Sequence, residues 1–214
     1  MNIYQLMPAV SELIPYDYAK IRCAEYDRLI AYYLSTMPRQ RQPMFAQIGG
    51  IPGAGKSTFC QRFYPQKVLS FDAIMESIPA YQQDLYLLGN AAAFKKWELP
   101  ARIIGYEILS RAVSERRNII MEHSGVTPAH VQLFEHLKKL GYTTQMYFIL
   151  CALPVAVERT QEREKITHRH TPQAMIEQRF GLVNDYLPQY QKIADSTFLY
   201  DTSYGKFVLQ QSVL

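Results

Sequence analysis

Cysteine is scarce in this chain of 214 residues, and its placement excludes two common classes of site. Cys23, Cys60 and Cys151 are odd in number, far apart and outside any C-x-x-C spacing. They therefore predict neither a disulfide framework nor a zinc site, and they favour a reducing compartment such as the cytoplasm. The histidines have no acidic or thiol partner at metal-ligand spacing, so they do not change this prediction.

Long hydrophobic runs and long basic runs are also missing. No apolar stretch approaches 18 residues, and the N-terminus lacks a basic region followed by an apolar one. We therefore expect no transmembrane segment and no ordinary secretion signal, although a specialised secretion apparatus would leave no such mark. With 23 basic against 19 acidic residues the net charge is +4, and no basic run exceeds two residues. This balance suits small anionic ligands and does not indicate a nucleic-acid surface.

The strongest positive signal is a glycine-rich stretch that matches G-x-x-x-x-G-K-[ST] from Gly50 to Ser57. An apolar run precedes it and a segment without helix breakers follows it, which is the strand–loop–helix setting of a phosphate-binding P-loop. Loop amides and the helix N-terminus would surround the phosphates, Lys56 would reach the β- and γ-phosphates, and the Ser57 hydroxyl would bind Mg²⁺. The residues expected to bind the nucleotide here are Gly50, Pro52, Gly53, Ala54, Gly55, Lys56, Ser57 and Thr58.

Strand and helix patterns alternate along the rest of the chain. Apolar runs predict strands at residues 44–48, 67–71, 118–121, 144–150 and 196–200, and helical patterns lie between them. This order predicts an α/β P-loop NTPase fold, a three-layer sandwich with a mainly parallel sheet of about five strands. Residues 1–43 are expected to form a helical extension and linker, with a helix from about Tyr16 to Leu34, and residues 44–214 the P-loop domain. The patterns further predict helices at about 82–97 and 100–114, and a buried stripe of Ile176, Phe180, Val183 and Leu187.

Three acidic residues directly follow predicted strands: Asp72, Glu122 and Asp201. In parallel sheets ligands gather at the carboxyl ends of the strands, so these carboxylates would face the cleft that holds the γ-phosphate. A carboxylate there could accept the proton of an attacking hydroxyl. Each could equally be a solvated acid, and Asp72 could be a helix N-cap.

A basic cluster follows the fourth predicted strand. Arg159 and Arg163 are four residues apart and share a helix face, and Arg169 lies in the loop that follows. Such a segment could close over the transferring phosphoryl group and stabilise its charge. The alternative is a solvated helix face on which neighbouring glutamates and arginines pair.

Taken together, these motifs resemble the zeta-toxin family of P-loop kinases over residues 45–203. The resemblance is carried by residues 50–58, 70–72, 119–125, 158–163, 169–172 and 199–203. It implies an ATP- and Mg²⁺-dependent kinase that phosphorylates a sugar hydroxyl of UDP-N-acetylglucosamine and is held inactive by an antitoxin protein. It further implies that Asp72 is the catalytic base, that Glu122 binds substrate, and that Arg169 is a lid arginine. The second lid arginine would be Arg163 or Arg159, with Arg163 preferred.

The sequence departs from the family pattern where the acceptor would be selected. Asp72 is followed by Ala-Ile-Met, where the family usually has an acidic residue and a nearby arginine. Glu122 is followed by His-Ser-Gly instead of the usual Gly-Thr. The expected function is therefore phosphoryl transfer from ATP to a small-molecule hydroxyl, catalysed by Lys56, Asp72, Arg163 and Arg169. The alternatives are a polynucleotide 5′-kinase and a nucleotide-binding regulatory or toxin–antitoxin module with little turnover. A GTPase is not indicated, because no N-K-x-D motif occurs.

Overall fold

Helices and strands alternate along the chain in the computed structural model, which describes residues 2–15, 25–64 and 68–213. The helices are α1 Ile3–Leu6, α2 Tyr26–Thr36, α3 Lys56–Phe63, α4 Phe71–Glu76, α5 Pro79–Leu88, α6 Asn90–Ser114, α7 Pro128–Lys139, α8 Leu153–Thr167 and α9 Gln173–Ile193. The strands are β1 Met44–Gly49, β2 Leu69–Ser70, β3 Ile119–Glu122, β4 Thr143–Leu150, β5 Ser196–Asp201 and β6 Val208–Val213.

The strands of the described residues form one six-stranded sheet in the order β2-β3-β1-β4-β5-β6. The first five are parallel, and β6 runs antiparallel to β5 at the edge. The predicted α/β fold with a mainly parallel sheet is confirmed, and β1, the central strand, is buried along almost its whole length. The five predicted strands are the five parallel ones, and the sixth strand, β6, was not predicted because it is almost entirely exposed and carries no alternating apolar pattern.

The predicted strand at residues 67–71 is much shorter in the structure. Residues 65–67 lie outside the described part, and β2 ends at Ser70, whose hydroxyl accepts a hydrogen bond of 3.5 Å from the Ala73 amide. Ser70 is therefore the N-cap of α4, and Asp72 occupies the first turn of that helix instead of capping it.

The helices that follow also have different boundaries from those predicted. Pro79 opens α5 in its first turn, and Gly89, with φ of 81°, separates α5 from α6. Pro100, expected to begin a new helix, lies inside α6. The sequence analysis took Pro100 as the start of a new helix, whereas the break between the two helices lies at Gly89.

The N-terminal segment packs on the α/β core. The predicted helix over residues 16–34 is described only from Tyr26, and residues 16–24 lie outside the described part. Ahead of it, α1 and a 3₁₀ turn at Pro8–Glu12 bury Ile3, Leu6, Met7 and Val10. The Ala9 amide donates a hydrogen bond of 2.9 Å to Gln132 Oε1 on α7. The segment is therefore held by the burial of its apolar side chains and by a partly buried hydrogen bond to α7.

The strand register brings the carboxyl ends of β1, β2 and β3 to one edge. Ile48 pairs with Glu122, and Ser70 also pairs with Glu122, so the P-loop and the start of α4 flank the end of β3. This is the position in which open parallel sheets place their ligands.

Candidate functional site

The loop between β1 and α3 lies so close to its neighbours that two of its glycines cannot be replaced without a shift. Gly50 has φ of 125°, and a Cβ there would lie 2.2 Å from the Ile149 carbonyl oxygen. Gly53 has φ of 81°, and its Cβ would lie 2.2 Å from the Ala156 carbonyl oxygen. Both positions need glycine for backbone conformation and for space, so the loop is held against β4 and α8 in one shape.

The first turn of α3 carries the two side chains expected to act on phosphate and metal. Lys56 Nζ donates a hydrogen bond of 2.9 Å to the Ile51 carbonyl oxygen within the loop. Ser57 Oγ donates one of 2.8 Å to Glu122 Oε1 at the end of β3. Burial lowers the pKa of Lys56 to about 8 and raises the pKa of Glu122, while their mutual attraction opposes both shifts. Both charges are thus poorly solvated, and a phosphate–metal pair would satisfy them.

A cleft with a volume of about 410 Å³ opens above these residues. Among the predicted site residues, its lining includes Pro52, Gly53, Gly55, Lys56, Ser57, Thr58, Asp72, Glu122, Arg159, Arg163 and Arg169. Gly50 and Ala54 are buried within the loop and do not line the cleft. The structure therefore brings the P-loop, two of the three strand-end acids and all three arginines to one place.

The third strand-end acid, Asp201, has a different role. Its Oδ1 accepts hydrogen bonds from the Ser203 amide at 2.8 Å and the Ser203 hydroxyl at 2.7 Å. These bonds lower the pKa of Asp201 and close the turn after β5. Asp201 lines a second cavity, of about 490 Å³, and is not part of the first cleft.

The three arginines of the basic cluster differ in their partners. Arg159 is tied to the loop after β5, where it donates to the Thr202 carbonyl oxygen at 2.8 Å and to Thr202 Oγ1 at 3.3 Å. Arg163 donates to Thr171 Oγ1 at 2.6 Å, and its buried Nε has no hydrogen-bond partner among the described residues. The buried Nε of Arg169 likewise lacks a partner in the described part of the chain. Arg163 and Arg169 thus keep donors available, whereas Arg159 is largely occupied.

Asp72 forms an ion pair with Arg169 in the cleft. Arg169 Nη1 is 3.7 Å from Asp72 Oδ2 and 3.3 Å from Glu76 Oε1, one turn further along α4. The α8–α9 connection therefore already reaches the carboxylate predicted as the base. Glu76 was missed by the sequence analysis, although its spacing of four residues from Asp72 places it on the same helix face.

Two further arginines on the cleft wall were also missed. Arg102 on α6 forms an ion pair with Glu98 and donates to the Leu13 carbonyl oxygen at 3.2 Å. Arg179 on α9 lines the cleft without a hydrogen bond or ion pair to any described residue. Burial lowers the pKa of Arg179, and Asp72 partly opposes that shift.

The sequence contained a signal for Arg179. Ile176 and Val183 are buried as predicted, whereas Phe180, placed on the same stripe, is 42% exposed. Arg179 is three residues after Ile176 and four before Val183, so it shares their inward face. A lone arginine between two buried positions of a helix indicates a polar cavity below it.

A family model described as Zeta toxin matches residues 30–195. No curated protein matches the chain. Among solved structures, a chain from the PezAT chromosomal toxin–antitoxin system of Streptococcus pneumoniae is similar, with a TM-score of 0.66 and 18% identity over 88% of this chain and 81% of that one.

Two other solved structures share the fold. AvrRxo1-ORF1:-ORF2 with ATP has a TM-score of 0.70 and 12% identity, over 88% of this chain and 66% of that one. A putative kinase from Chloroflexus aurantiacus has a TM-score of 0.51 and 19% identity, over 77% of this chain and 90% of that one. At these identities the likeness establishes the fold, that of P-loop kinases. In the described ranges, no helix is long and apolar enough to cross a membrane.

Proposed function

The chain belongs to the zeta toxin family, and from that premise we propose that it is an ATP- and Mg²⁺-dependent kinase. It would transfer the γ-phosphoryl group to a hydroxyl of a small molecule. The observation that carries this proposal is the meeting, in one cleft, of a P-loop lysine, a strand-end carboxylate and lid arginines with unused donors. Phosphoryl transfer depends on positioning and charge stabilisation, and these groups supply both.

The nucleotide phosphates would lie between the P-loop and the arginines of α8 and its following loop. Lys56 would exchange its bond to the Ile51 carbonyl oxygen for the β- and γ-phosphates. Arg163 and Arg169 would donate from the nitrogens that now lack partners among the described residues. Arg159, held by Thr202, would lie at the edge of the nucleotide site. The AvrRxo1 relative with bound ATP supports ATP as the phosphoryl donor.

The oxygen ligands at the end of β3 fit a magnesium ion. The Ser57 hydroxyl and the Glu122 carboxylate meet at 2.8 Å in the cleft beside the P-loop, where the β- and γ-phosphates would lie. Oxygen donors of this kind are those that Mg²⁺ prefers, usually together with phosphate oxygens and water. Ser57 would hold the ion, which when bound neutralises charge on the phosphates.

Asp72 would act as the base. It lies on the first turn of α4, at the cleft edge, and faces Arg169. A carboxylate here can accept the proton of the acceptor hydroxyl as its oxygen attacks the γ-phosphorus, while ADP leaves on the opposite side. Glu122 would orient the acceptor, and Arg163 and Arg169 would stabilise the charge on the transferring group.

We further propose a sugar nucleotide such as UDP-N-acetylglucosamine as the acceptor, a cytoplasmic location, and an antitoxin-like protein as a partner. The similarity to a chain of a toxin–antitoxin system supports such a partner. The boundary between an N-terminal extension (1–43) and a kinase domain (44–214) belongs to the same proposal.

Transfer can be tested with γ-labelled ATP, Mg²⁺ and a small-molecule cell extract. We expect a labelled product with the wild type and a loss of roughly 10²–10⁴-fold in rate with Asp72→Asn, since a general base contributes about that much. Asp201→Asn is the matched control, because Asp201 also follows a strand but lies outside the cleft. It should leave the rate unchanged.

Other results would point elsewhere. Full activity of a folded Asp72→Asn protein would show that Asp72 is not the base. Label released only as free phosphate would favour a regulatory nucleotide-binding module. Label on added single-stranded nucleic acid, with a steep dependence on salt, would favour a polynucleotide kinase.

A further inference from the structure

His123, the residue directly after Glu122, lies at the floor of the cleft, and its ring stacks on the buried ring of His130. The rings of His123 and His130 are parallel within 3°, with centroids 3.8 Å apart. His130, on α7, is fully buried and fixed at both nitrogens. Its Nδ1 lies 2.8 Å from Gln47 Oε1 and its Nε2 3.1 Å from the Tyr106 hydroxyl. Because Gln47 Oε1 accepts, Nδ1 carries the proton and Nε2 accepts from Tyr106.

The backbone fixes the tautomer of His123. The Gly125 amide donates a hydrogen bond of 3.2 Å to His123 Nδ1, so Nδ1 is unprotonated and the proton of the neutral ring is on Nε2. His123 therefore presents to the cleft that it lines a neutral ring with an N–H donor at Nε2, and the hydrogen bonds of the described residues do not use that nitrogen.

His123 lies on the acceptor side of the cleft. Its ring contacts Phe71 edge-on, with centroids 5.6 Å apart, and Phe71 directly precedes Asp72. The acceptor hydroxyl must reach Asp72. The acceptor would therefore lie against Phe71 and His123, which line the cleft with Asp72. The P-loop and Arg163, by contrast, line the part of the cleft that the phosphates would fill.

We propose that His123 binds the phosphoryl acceptor, its Nε2–H donating a hydrogen bond to an oxygen adjacent to the reacting hydroxyl. The inference rests on the proposed kinase function and narrows its substrate to a polyol, such as a sugar ring, in which a second oxygen stands next to the attacking one. A compound with a lone hydroxyl would occupy the cleft and leave this donor without a partner, and such a loss discriminates between substrates. The stack on His130 holds the donor in place, so the ring needs no reordering when the acceptor binds.

Substitutions of His123 can separate the contribution of its aromatic ring from that of its N–H donor. His123→Phe keeps an aromatic ring against His130 but has no N–H. His123→Gln loses the ring but can place an amide N–H near the position of Nε2. His123→Met, similar to glutamine in length, has neither, and it provides the donor-free comparison if the phenylalanine variant fails to fold.

The experiment measures label transfer from γ-labelled ATP over graded dilutions of the small-molecule extract, which gives an apparent acceptor KM, and separately the KM for ATP. We expect His123→Phe and His123→Met to raise the acceptor KM about tenfold, the value of one hydrogen bond, with the KM for ATP within about twofold of the wild type. His123→Gln should restore the acceptor KM to within about threefold.

Each other outcome contradicts the inference. An unchanged acceptor KM in His123→Phe would show that the donor is not used, while the kinase assignment would stand. If His123→Gln and His123→Met changed the acceptor KM equally, His123 would be only part of the core. The same conclusion would follow if a variant raised the acceptor KM and the KM for ATP equally and lowered the Tm. Absence of any labelled product with the wild type would overturn the kinase function and this inference with it.

Discussion

Arg179 differs from the other arginines of the cleft because it forms no hydrogen bond or ion pair with any described residue, although Asp72 and Glu98 are near enough to oppose the lowering of its pKa. Arg102 has Glu98, Arg169 has Glu76 and Asp72, and Arg159 has the Thr202 carbonyl oxygen. A guanidinium that lines a cavity, with its pKa lowered by burial, is costly unless an anion fills the cavity. We therefore expect Arg179 to pair with a negatively charged group of the acceptor.

Substitution of Arg179 should weaken acceptor binding and leave ATP binding nearly unchanged. We expect Arg179→Gln to raise the acceptor KM roughly tenfold or more, because a charge-assisted hydrogen bond is lost, and Arg179→Lys to retain part of the effect. Steady-state kinetics with each substrate varied in turn would measure this. Arg62→Gln is the control, since Arg62 is exposed beside Phe63 on α3. A rise in the KM for ATP alone would instead place Arg179 in the nucleotide site.

The partners of Arg159 and Arg163 decide which of them acts during transfer. The buried Nε of Arg163 has no hydrogen-bond partner among the described residues. Burial and the adjacent Arg169 lower the pKa of Arg163, so a bound anion would stabilise its charge. We expect Arg163→Gln to lower kcat by roughly 10²–10³-fold, a typical loss for a group that stabilises transition-state charge. Arg159→Gln should affect kcat less than tenfold, because its guanidinium holds the loop after β5. If Arg159→Gln lowered kcat more than Arg163→Gln, then Arg159 would be the arginine that stabilises the transferring group and Arg163 would have the structural role.

At the scale of elements, Asp72 is positioned by the contact between α4 and α6. A Cβ at Gly105 on α6 would lie 2.2 Å from the ring atoms of Phe71, the residue before Asp72. The backbones of the two helices approach closely because glycine occupies this position, and the Phe71 ring fills the space beside it.

Gly105→Ala should therefore displace Phe71 and lower both stability and activity. Overpacking of this kind costs about 1–3 kcal/mol in the free energy of unfolding, and the shift at Asp72 should lower kcat. Gly181→Ala is the matched control: it lies on the exposed side of α9, where no atom is within 4 Å of the added Cβ. It should stabilise the protein by about 0.5–1 kcal/mol. Urea unfolding and kcat of the two variants would test the pair, and a neutral Gly105→Ala would contradict the argument.

The same elements show what the sequence could and could not reveal. The Gly50–Ser57 motif, the parallel sheet and the strand-end position of Glu122 follow from local pattern, because periodicity and turn chemistry are local. β6 was missed because an exposed edge strand needs no apolar alternation. The spacing of Arg179 from Ile176 and Val183 could have shown that it faces inward, but the residues of α4 and α6 that face it are fixed only by tertiary packing.

At the scale of the whole molecule, the cleft floor and the hydrophobic core meet at His130. This side chain has no exposed surface, and burial lowers its pKa from 6.5 to about 3. The groups that face it are the neutral His123, Gln47 and Tyr106, so no carboxylate compensates a proton there. In the unfolded chain the same histidine takes up a proton near its ordinary pKa.

The free energy of unfolding should therefore fall as the pH drops below about 6.5. Between the two pKa values the unfolded state binds more protons than the native state, so stability rises with pH in that window and is lost on acidification. One such histidine contributes a slope of up to about 1.4 kcal/mol per pH unit. The interval from pH 6.5 to 5 is the one to measure, because it lies above the range in which most carboxylates titrate.

Urea unfolding of the wild type, His130→Gln and His168→Asn at pH 6.5 and pH 5 would test this coupling. His130→Gln removes the titrating group while keeping hydrogen-bonding atoms for Gln47 and Tyr106, so its loss of stability on acidification should be clearly smaller than that of the wild type. His168→Asn removes an exposed histidine of the α8–α9 connection and should leave the wild-type slope intact. Equal slopes for the wild type and His130→Gln would show that the native fold accommodates a charged His130, and the cleft floor would then be less rigid than the stacked, neutral pair requires.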